Sequence, residues 1–167
     1  MTVKKGDGQL TDYPKIPVIV ILDRLRSAHN VGNIFRLADT CAIEKIICCG
    51  YTAYPPHPKL EKTSMGAEEH LAYEHMEKTS DAIKTCKANN YNVYAVETVD
   101  TAIDYRDLKL PGPSAFVFGN EALGIDEDAL ALCDAAVSLP VFGFKNSINV
   151  ANCASVILYK AVELLRT

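Results

Sequence analysis

The feature that most constrains the fold of this chain is an uninterrupted apolar run, VIVIL, at residues 18–22. A strand with one face in water alternates apolar and polar residues, so a continuous run rich in β-branched residues indicates a strand covered on both faces. Such strands are typical of parallel sheets that have helices on either side. The run therefore favours an α/β architecture.

The rest of the chain repeats an alternation of strands and helices. Five further strands are predicted, at residues 45–49, 71–75, 92–96, 115–119 and 135–139. Helices are predicted at residues 30–40 with Asn30 as N-cap, at 80–89 with Ser80 as N-cap, at 126–132 and at 147–165. This order predicts an α/β fold with a mainly parallel sheet flanked by helices.

The length of 167 residues is typical of one domain, which we predict to cover residues 17–167 after an N-terminal tail at 1–16. No apolar run approaches the length of a membrane span, and the polar start MTVKKGDGQL lacks a hydrophobic signal region. We therefore expect a cytoplasmic protein without a membrane partner. The net charge of −4 argues mildly against extensive phosphate contacts but does not exclude a local basic patch.

The six cysteines form no C-x-x-C pair, and most of them lie in apolar segments. Cysteines of this kind behave as small buried hydrophobic residues in a reducing compartment. Their spacings do not match those of zinc sites, so we predict no metal.

Three loops follow predicted strands, at the sheet edge where ligands of open parallel sheets bind. The first loop carries Asn30 and Arg36, six residues apart and interpreted as lying roughly on one side of a helix. An arginine there could reach a phosphate near the helix N-terminus. A capped helix with a surface arginine explains the same residues equally well.

The second loop, GNEALG, places Glu121 directly after a buried strand and Gly119. Glycines allow close backbone approach, and a tight turn would account for them but not for the carboxylate. The loop matches neither the Walker A motif nor the dinucleotide-binding G-x-G-x-x-G motif. The third loop, which includes Ser147 and Asn149, has more amides and hydroxyls than one helix cap requires.

Taken together, the three loops read N-x-G-x-x-x-R, F-G-N-E-x-x-G and L-P followed by S-I-N-V. This order resembles the three motifs of the SpoU (TrmH) family of RNA ribose methyltransferases, in the SPOUT superfamily. The resemblance extends from about residue 18 to residue 165 and includes the segment KTSMGAEEHL between the first two motifs. Two details differ from the commonest pattern: S-I-N replaces S-L-N, and Ala122 replaces a glycine that would be strained as alanine if its φ were positive.

The resemblance implies an α/β sheet whose C-terminal segment is threaded into a trefoil knot. It also implies transfer of a methyl group from S-adenosylmethionine to a ribose 2′-hydroxyl of tRNA or rRNA. Because the chain carries little beyond this region, tRNA is favoured over rRNA. Family members are generally homodimers, and the apolar surface of the last predicted helix is large enough to suggest a self-pairing face.

The resemblance also assigns residues to roles. It places Asn30, Arg36, Glu121, Ser147 and Asn149 around the reacting ribose. Gly119, Leu139 and Ile148 correspond to residues that hold the cofactor, and Glu97 is a weaker candidate for the same wall. In this interpretation Arg36 clamps a phosphate and stabilises developing alkoxide character, because arginine stays protonated and is a poor general base.

Two other interpretations remain open. One is a catalytically silent RNA-binding protein of the same fold, which the complete set of polar motif residues argues against. The other is a flavodoxin-like nucleotide-binding protein. The sequence Asp-Arg-Leu-Arg after the first strand, residues 23–26, would be a poor cradle for a flavin phosphate.

Overall fold

The structure, a computed structural model, describes residues 14–166. Most of the predicted tail, residues 1–13, lies outside this range, and Ile16 already begins the first strand. The strands are β1 (Ile16–Asp23), β2 (Ile43–Cys49), β3 (Ala72–Met76), β4 (Asn92–Val96), β5 (Ile103–Asp104), β6 (Ser114–Phe118) and β7 (Ala135–Ser138). The α-helices are α1 (Ala28–Thr40), α2 (Pro58–Ser64), α3 (Thr79–Ala88), α4 (Glu127–Leu130) and α5 (Val150–Leu165), and short 3₁₀ helices lie at Ala67–Glu69 and Tyr105–Asp107.

The strands form one sheet of seven in the order β3-β2-β1-β6-β4-β7-β5. Each pair of neighbouring strands in this sheet is parallel. In the middle of the sheet, Val20 of β1 lies beside Ile46 of β2 and Phe116 of β6. The predicted parallel α/β sheet flanked by helices is therefore confirmed.

Successive residues of β1 enter two different cores, as expected for a strand covered on both faces. Val20 and Leu22 belong to a core that also contains Phe35 of α1 and Ile157 of α5. Ile21 belongs to a second core that α3 and α4 cover with Ile83, Ala82 and Ala129. These two helix layers explain the run of apolar residues in the sequence.

Two elements were not predicted from the sequence. The helix α2 was interpreted as part of a long loop because prolines precede it, although Pro58 occupies its first turn, where proline is tolerated. The two-residue strand β5 is too short to give a pattern, and it is defined by its pairing with β7.

Two predicted helix caps were wrong. The N-cap of α1 is Ser27, whose Oγ accepts a hydrogen bond from the Asn30 backbone N–H over 3.2 Å. This serine has the extended backbone that a cap requires, so the helix begins one turn earlier and the Asn30 side chain is free for other contacts. The helix α3 begins at Thr79 after Lys78, which makes no side-chain cap bond, so Ser80 lies inside it.

The last helix begins at Val150 rather than at Ser147. Most of its apolar residues are used in the core of the domain: five are buried and four more pack against that core while partly buried, namely Ala151, Ala154, Ile157, Leu158 and Ala161, and Val150, Val162, Leu164 and Leu165. The predicted surplus of apolar surface is therefore smaller than the sequence indicated. The helix still exposes Val156 and Tyr159, at 37% and 55% of their full surface.

All six cysteines are unpaired, four of them buried and Cys133 and Cys153 half-buried. Within residues 14–166, no group of three or more His, Cys, Asp or Glu side chains has a geometry that could hold a metal ion. No helix in the same range is long and apolar enough to cross a bilayer.

Candidate active site

A cleft of about 650 Å³ lies where β4, β6 and β7 end and α5 begins. This volume falls in the range of small-molecule sites, about 300–1,000 Å³. The cleft is lined by all four predicted cofactor residues and three of the five predicted catalytic residues: Glu97, Gly119, Glu121, Leu139, Ser147, Ile148 and Asn149. The carboxyl edge of the sheet therefore brings the second and third loops together.

A fourth predicted catalytic residue, Asn30, joins these loops through side-chain contacts. Its Nδ2 donates a hydrogen bond to Glu121 Oε1 over 3.1 Å, and its Oδ1 accepts a longer one from Asn149 Nδ2 at 3.4 Å. Asn149 is also the N-cap of α5, because its Oδ1 accepts hydrogen bonds from the backbone N–H groups of Ala151 and Asn152. One asparagine thus caps the helix and also contacts the first loop.

The carboxylate of Glu121 is anchored by the backbone that precedes α1. Its Oε2 accepts from Arg26 N over 2.9 Å, and its Oε1 accepts from Ser27 N over 3.2 Å. Partial burial by itself raises the pKa of Glu121, but hydrogen bonds from Arg26, Asn30 and Ser27 outweigh it and lower the pKa below its ordinary value. Glu121 is therefore held as a carboxylate, and it connects two loops. Because its pKa is lowered, it is a poor proton acceptor.

The buried Asn120 organises the second loop, although sequence analysis gave it no role. Its Nδ2 donates to Arg24 O over 2.6 Å and to Tyr51 Oη over 2.8 Å. Its Oδ1 accepts from the backbone N–H groups of Ala122 and Leu123. Its place inside the F-G-N-E motif could have indicated that Asn120 has a role in the site. Its long-range hydrogen-bond partners could not be predicted from the sequence.

The glycines of the second loop are required by close contacts. A Cβ at Gly119 would lie 2.4 Å from the backbone nitrogen of Ile125. Gly124 has a φ of +70°, a conformation that favours glycine. Ala122 is not among the residues with positive φ, so the alanine that replaces a family glycine is not strained there.

The predicted cofactor wall combines apolar and polar groups. Leu139 and Ile148 face the cleft together with Val96, Phe118 and Val137. At the same edge, Glu97 accepts hydrogen bonds from Ile125 N over 3.2 Å and from Thr98 N over 3.0 Å. Each carboxylate oxygen has two lone pairs, so Glu97 keeps the capacity to accept from a bound hydroxyl.

The fifth predicted catalytic residue, Arg36, does not line the cleft. Six helical residues correspond to about 9 Å along the axis and a rotation of about 240°, so the sequence interpretation that Asn30 and Arg36 lie on one side was wrong. The Arg36 side chain is exposed and makes no hydrogen bond or ion pair with any residue from 14 to 166. Its guanidinium is an exposed cation without a counter-ion among these residues.

The sequence profile of the SpoU rRNA Methylase family matches residues 17–159. The chain belongs to this family. The tRNA (guanosine(18)-2′-O)-methyltransferase of Thermus thermophilus is 30% identical over 142 residues, which are 85% of this chain and 72% of that protein. A Staphylococcus saprophyticus protein named for the TrmH family of tRNA/rRNA methyltransferases is 29% identical over 146 residues, 87% of this chain.

A solved structure shares the fold of this chain. The AdoMet-bound rRNA methyltransferase of Sinorhizobium meliloti superposes with a TM-score of 0.82 at 27% identity, over 87% of this chain and 56% of that one. This chain also spans 58% of the Staphylococcus protein, so it covers somewhat more than half the length of several relatives. The resemblance to SpoU methyltransferases that was stated from the three motifs is confirmed.

Proposed function

We propose that this SpoU family protein transfers a methyl group from S-adenosylmethionine to a ribose 2′-hydroxyl of RNA. The observation that carries the proposal is the convergence of three separated sequence motifs on one cleft, through the contacts of Asn30, Glu121 and Asn149. The Thermus relative, whose name states a 2′-O position in tRNA, supports the ribose hydroxyl as acceptor and tRNA over rRNA as substrate.

The residues of the cleft fit S-adenosylmethionine. An adenine needs an apolar slot with a few fixed polar groups, which Leu139 and Ile148 supply beside the backbone of Gly119. The carboxylate of Glu97 suits a pair of ribose hydroxyls because it can accept two further hydrogen bonds. When bound, the cofactor supplies an electrophilic sulfonium methyl group, so the protein has chiefly to align the acceptor oxygen.

Alignment is the role we assign to the polar cluster. Ser147 lines the cleft close in sequence to Asn149, whose side chain is fixed by α5 and by Asn30. Side chains held by such contacts can orient a hydroxyl with little loss of entropy during the reaction. Glu121 is held as a carboxylate by the backbone before α1, and it fixes the first and second loops to each other. It does not accept the proton of the ribose hydroxyl.

Arg36 binds the RNA rather than the cofactor in this proposal. Its exposed guanidinium would clamp a phosphate next to the methylated ribose and stabilise negative charge on the attacking oxygen. The hydroxyl proton would leave to a phosphate oxygen or to water, since an arginine stays protonated. Arg36 is exposed and does not line the cleft, which is consistent with contact to a long substrate that extends outside it.

Three further features belong to the proposal. We propose that residues 17–167 form one domain and that the C-terminal segment is threaded into a trefoil knot, supported by the likeness of fold to a SpoU methyltransferase structure. We propose a homodimer that uses the exposed Val156 and Tyr159 of α5. We place the protein in the cytoplasm, supported by its six unpaired cysteines.

The experiment has two parts. Titration calorimetry measures binding of S-adenosylmethionine to the purified chain, and transfer of a tritiated methyl group is then measured on total RNA from cells that lack the gene. Mapping 2′-O-methyl positions with and without the gene identifies the acceptor nucleotide. We expect cofactor binding and one lost position in tRNA. RNA binding without cofactor binding would instead indicate a catalytically silent RNA-binding protein.

A further inference from the structure

A second hollow, of about 390 Å³, lies in the long loop between β2 and α2. None of the residues assigned to the cofactor or to catalysis lines it. Its walls come from Gly50, Tyr51, Thr52, Ala53, Tyr54, Pro56 and His57. The volume lies within the range of small-molecule sites, about 300–1,000 Å³, and three of the seven lining residues carry aromatic rings.

The aromatic rings of this hollow are exposed and already partly stacked. Tyr54 stacks on the ring of His75, with centroids 4.6 Å apart and planes 28° from parallel. Tyr51 keeps 60% of its surface exposed and Tyr54 keeps 44%. Stacked, exposed rings beside a hollow are how proteins hold single-stranded nucleic acid, because every base has a face that can stack.

His57, which lines the same hollow, has a ring nitrogen without a partner among the described residues. The Nδ1 atom of His57 is shielded from solvent and makes no hydrogen bond with any residue from 14 to 166. The backbone N–H of His57 is used, since it donates to Glu61 Oε1 over 2.9 Å. Shielded polar atoms are normally paired, and because this one has no exposed surface it forms part of the wall of the hollow rather than a contact for a ligand.

The hollow is joined to the candidate active site by one hydrogen bond. Tyr51 Oη accepts from Asn120 Nδ2 over 2.8 Å, and Asn120 immediately precedes Glu121. Beyond His57, the exposed Lys59 makes no ion pair within residues 14–166, so a free cation is present for a phosphate. A polynucleotide that enters the cleft can therefore place a neighbouring nucleotide on this loop.

We infer that the hollow receives one unpaired base of the RNA, close to the ribose that is methylated. The base stacks on Tyr54, which His75 supports from its other side. Tyr51 fixes the loop to Asn120, so that occupation of the hollow and positioning of the catalytic loop are linked. The inference rests on the proposed function because it takes RNA as the substrate.

The experiment uses a single-stranded decauridylate RNA with one internal 2-aminopurine, whose fluorescence is quenched when the base stacks. We compare the wild-type chain with Tyr54→Ala, Tyr54→Phe and, as a surface control at the sheet edge, Ile103→Ala. Tyr54→Ala should weaken binding about tenfold and abolish the quenching. Tyr54→Phe keeps the aromatic ring, and Ile103→Ala changes a residue far from the hollow in sequence. The affinity of both variants for the RNA should therefore lie within about twofold of the wild-type value, near the measurement error.

Circular dichroism on the same proteins reports folding, and calorimetry with S-adenosylmethionine separates the two proposals. The inference is overturned if Tyr54→Ala binds the probe as the wild type does, or if the wild type does not quench the probe, whatever the cofactor result. Equal binding by Tyr54→Ala and the wild type is also the outcome expected if the hollow binds a protein partner instead of RNA. If quenching depends on Tyr54 while no chain binds the cofactor, the proposed function fails and the base site stands.

Discussion

Asn30 Nδ2 donates a hydrogen bond to Glu121 Oε1 over 3.1 Å, which connects residues that are 91 positions apart in the chain. Glu121 also accepts two backbone N–H groups from the segment before α1, so the first and second loops are fixed to one another at a carboxylate. Asn149 then contacts Asn30 and begins α5. The cleft is built around these contacts.

The first prediction concerns the dependence of stability on pH. The folded-state pKa of Glu121 lies below its ordinary value of 4.5, so its hydrogen bonds stabilise the fold above about that pH and this stabilisation is lost as the pH falls through the lowered value. The side chain of the Glu121→Gln variant cannot ionise, so this variant lacks the pH-dependent stabilisation. In calorimetric unfolding between pH 7 and pH 3, the Tm advantage of the wild type over Glu121→Gln should shrink below pH 4.5.

The matched control is Glu69→Gln, which neutralises an exposed carboxyl without a hydrogen bond to any residue from 14 to 166. The Tm of this variant should follow that of the wild type across the range. A Tm difference for Glu121→Gln that does not change with pH would mean that its carboxylate is not held by these donors.

The second prediction concerns Gly119. A Cβ at this position would lie 2.4 Å from Ile125 N and 2.5 Å from the carbonyl carbon of Gly124, both backbone atoms that cannot move aside independently. Gly119→Ala should therefore lower the free energy of unfolding by about 1–3 kcal/mol. It should also weaken cofactor binding, because the same loop lines the cleft. Denaturant unfolding and calorimetry measure the two effects.

Gly112 provides the control for that substitution. A Cβ there would meet no atom within 4 Å, and its φ is not in the left-handed region. Gly112→Ala should leave the unfolding free energy within about 0.5 kcal/mol of the wild type. Equal stability of the two alanine variants would contradict the steric argument.

The third prediction separates RNA contact from cofactor binding. Arg36 lies outside the cleft, so Arg36→Ala should abolish methyl transfer while leaving the affinity for S-adenosylmethionine nearly unchanged. Arg36→Lys keeps the positive charge but cannot make the bidentate hydrogen bonds of a guanidinium to a phosphate. This variant should therefore retain a small part of the methyl-transfer activity. Arg106→Ala, which removes an exposed arginine paired with Asp104, serves as control. Near-normal transfer by Arg36→Ala would sink the assigned role.

The fourth prediction concerns self-association. Val156 and Tyr159 are exposed and lie three residues apart on α5, so they share one face of the helix. In the proposed homodimer, Tyr159→Arg buries an unpaired charge and should shift the sedimentation coefficient to that of a monomer. Ile103→Arg, on the edge strand β5, should not shift it. A wild-type chain that sediments as a monomer at all concentrations would refute the dimer.

Much of the fold was readable from local pattern. The apolar run at residues 18–22 predicted a strand between two helix layers, since apolarity on both faces is a property of the strand itself. The order of the three motifs predicted the SpoU family and directed attention to Gly119, Glu121 and Asn149. The caps at Asn30 and Ser80 were misassigned because several polar residues near a helix start are chemically suitable, and backbone geometry chooses among them.

What the sequence by itself determined is the order of most strands and helices along the chain and the chemical groups available at the ends of the strands. Only the tertiary structure decided which of those groups meet: that Asn30 reaches Glu121 and Asn149, that Asn120 ties the loop to Tyr51, and that Arg36 stays outside the cleft. The physical reason is the distance along the chain over which each kind of interaction acts. Apolar periodicity reflects neighbours within a few residues, whereas hydrogen bonds between distant loops depend on how the whole sheet is ordered.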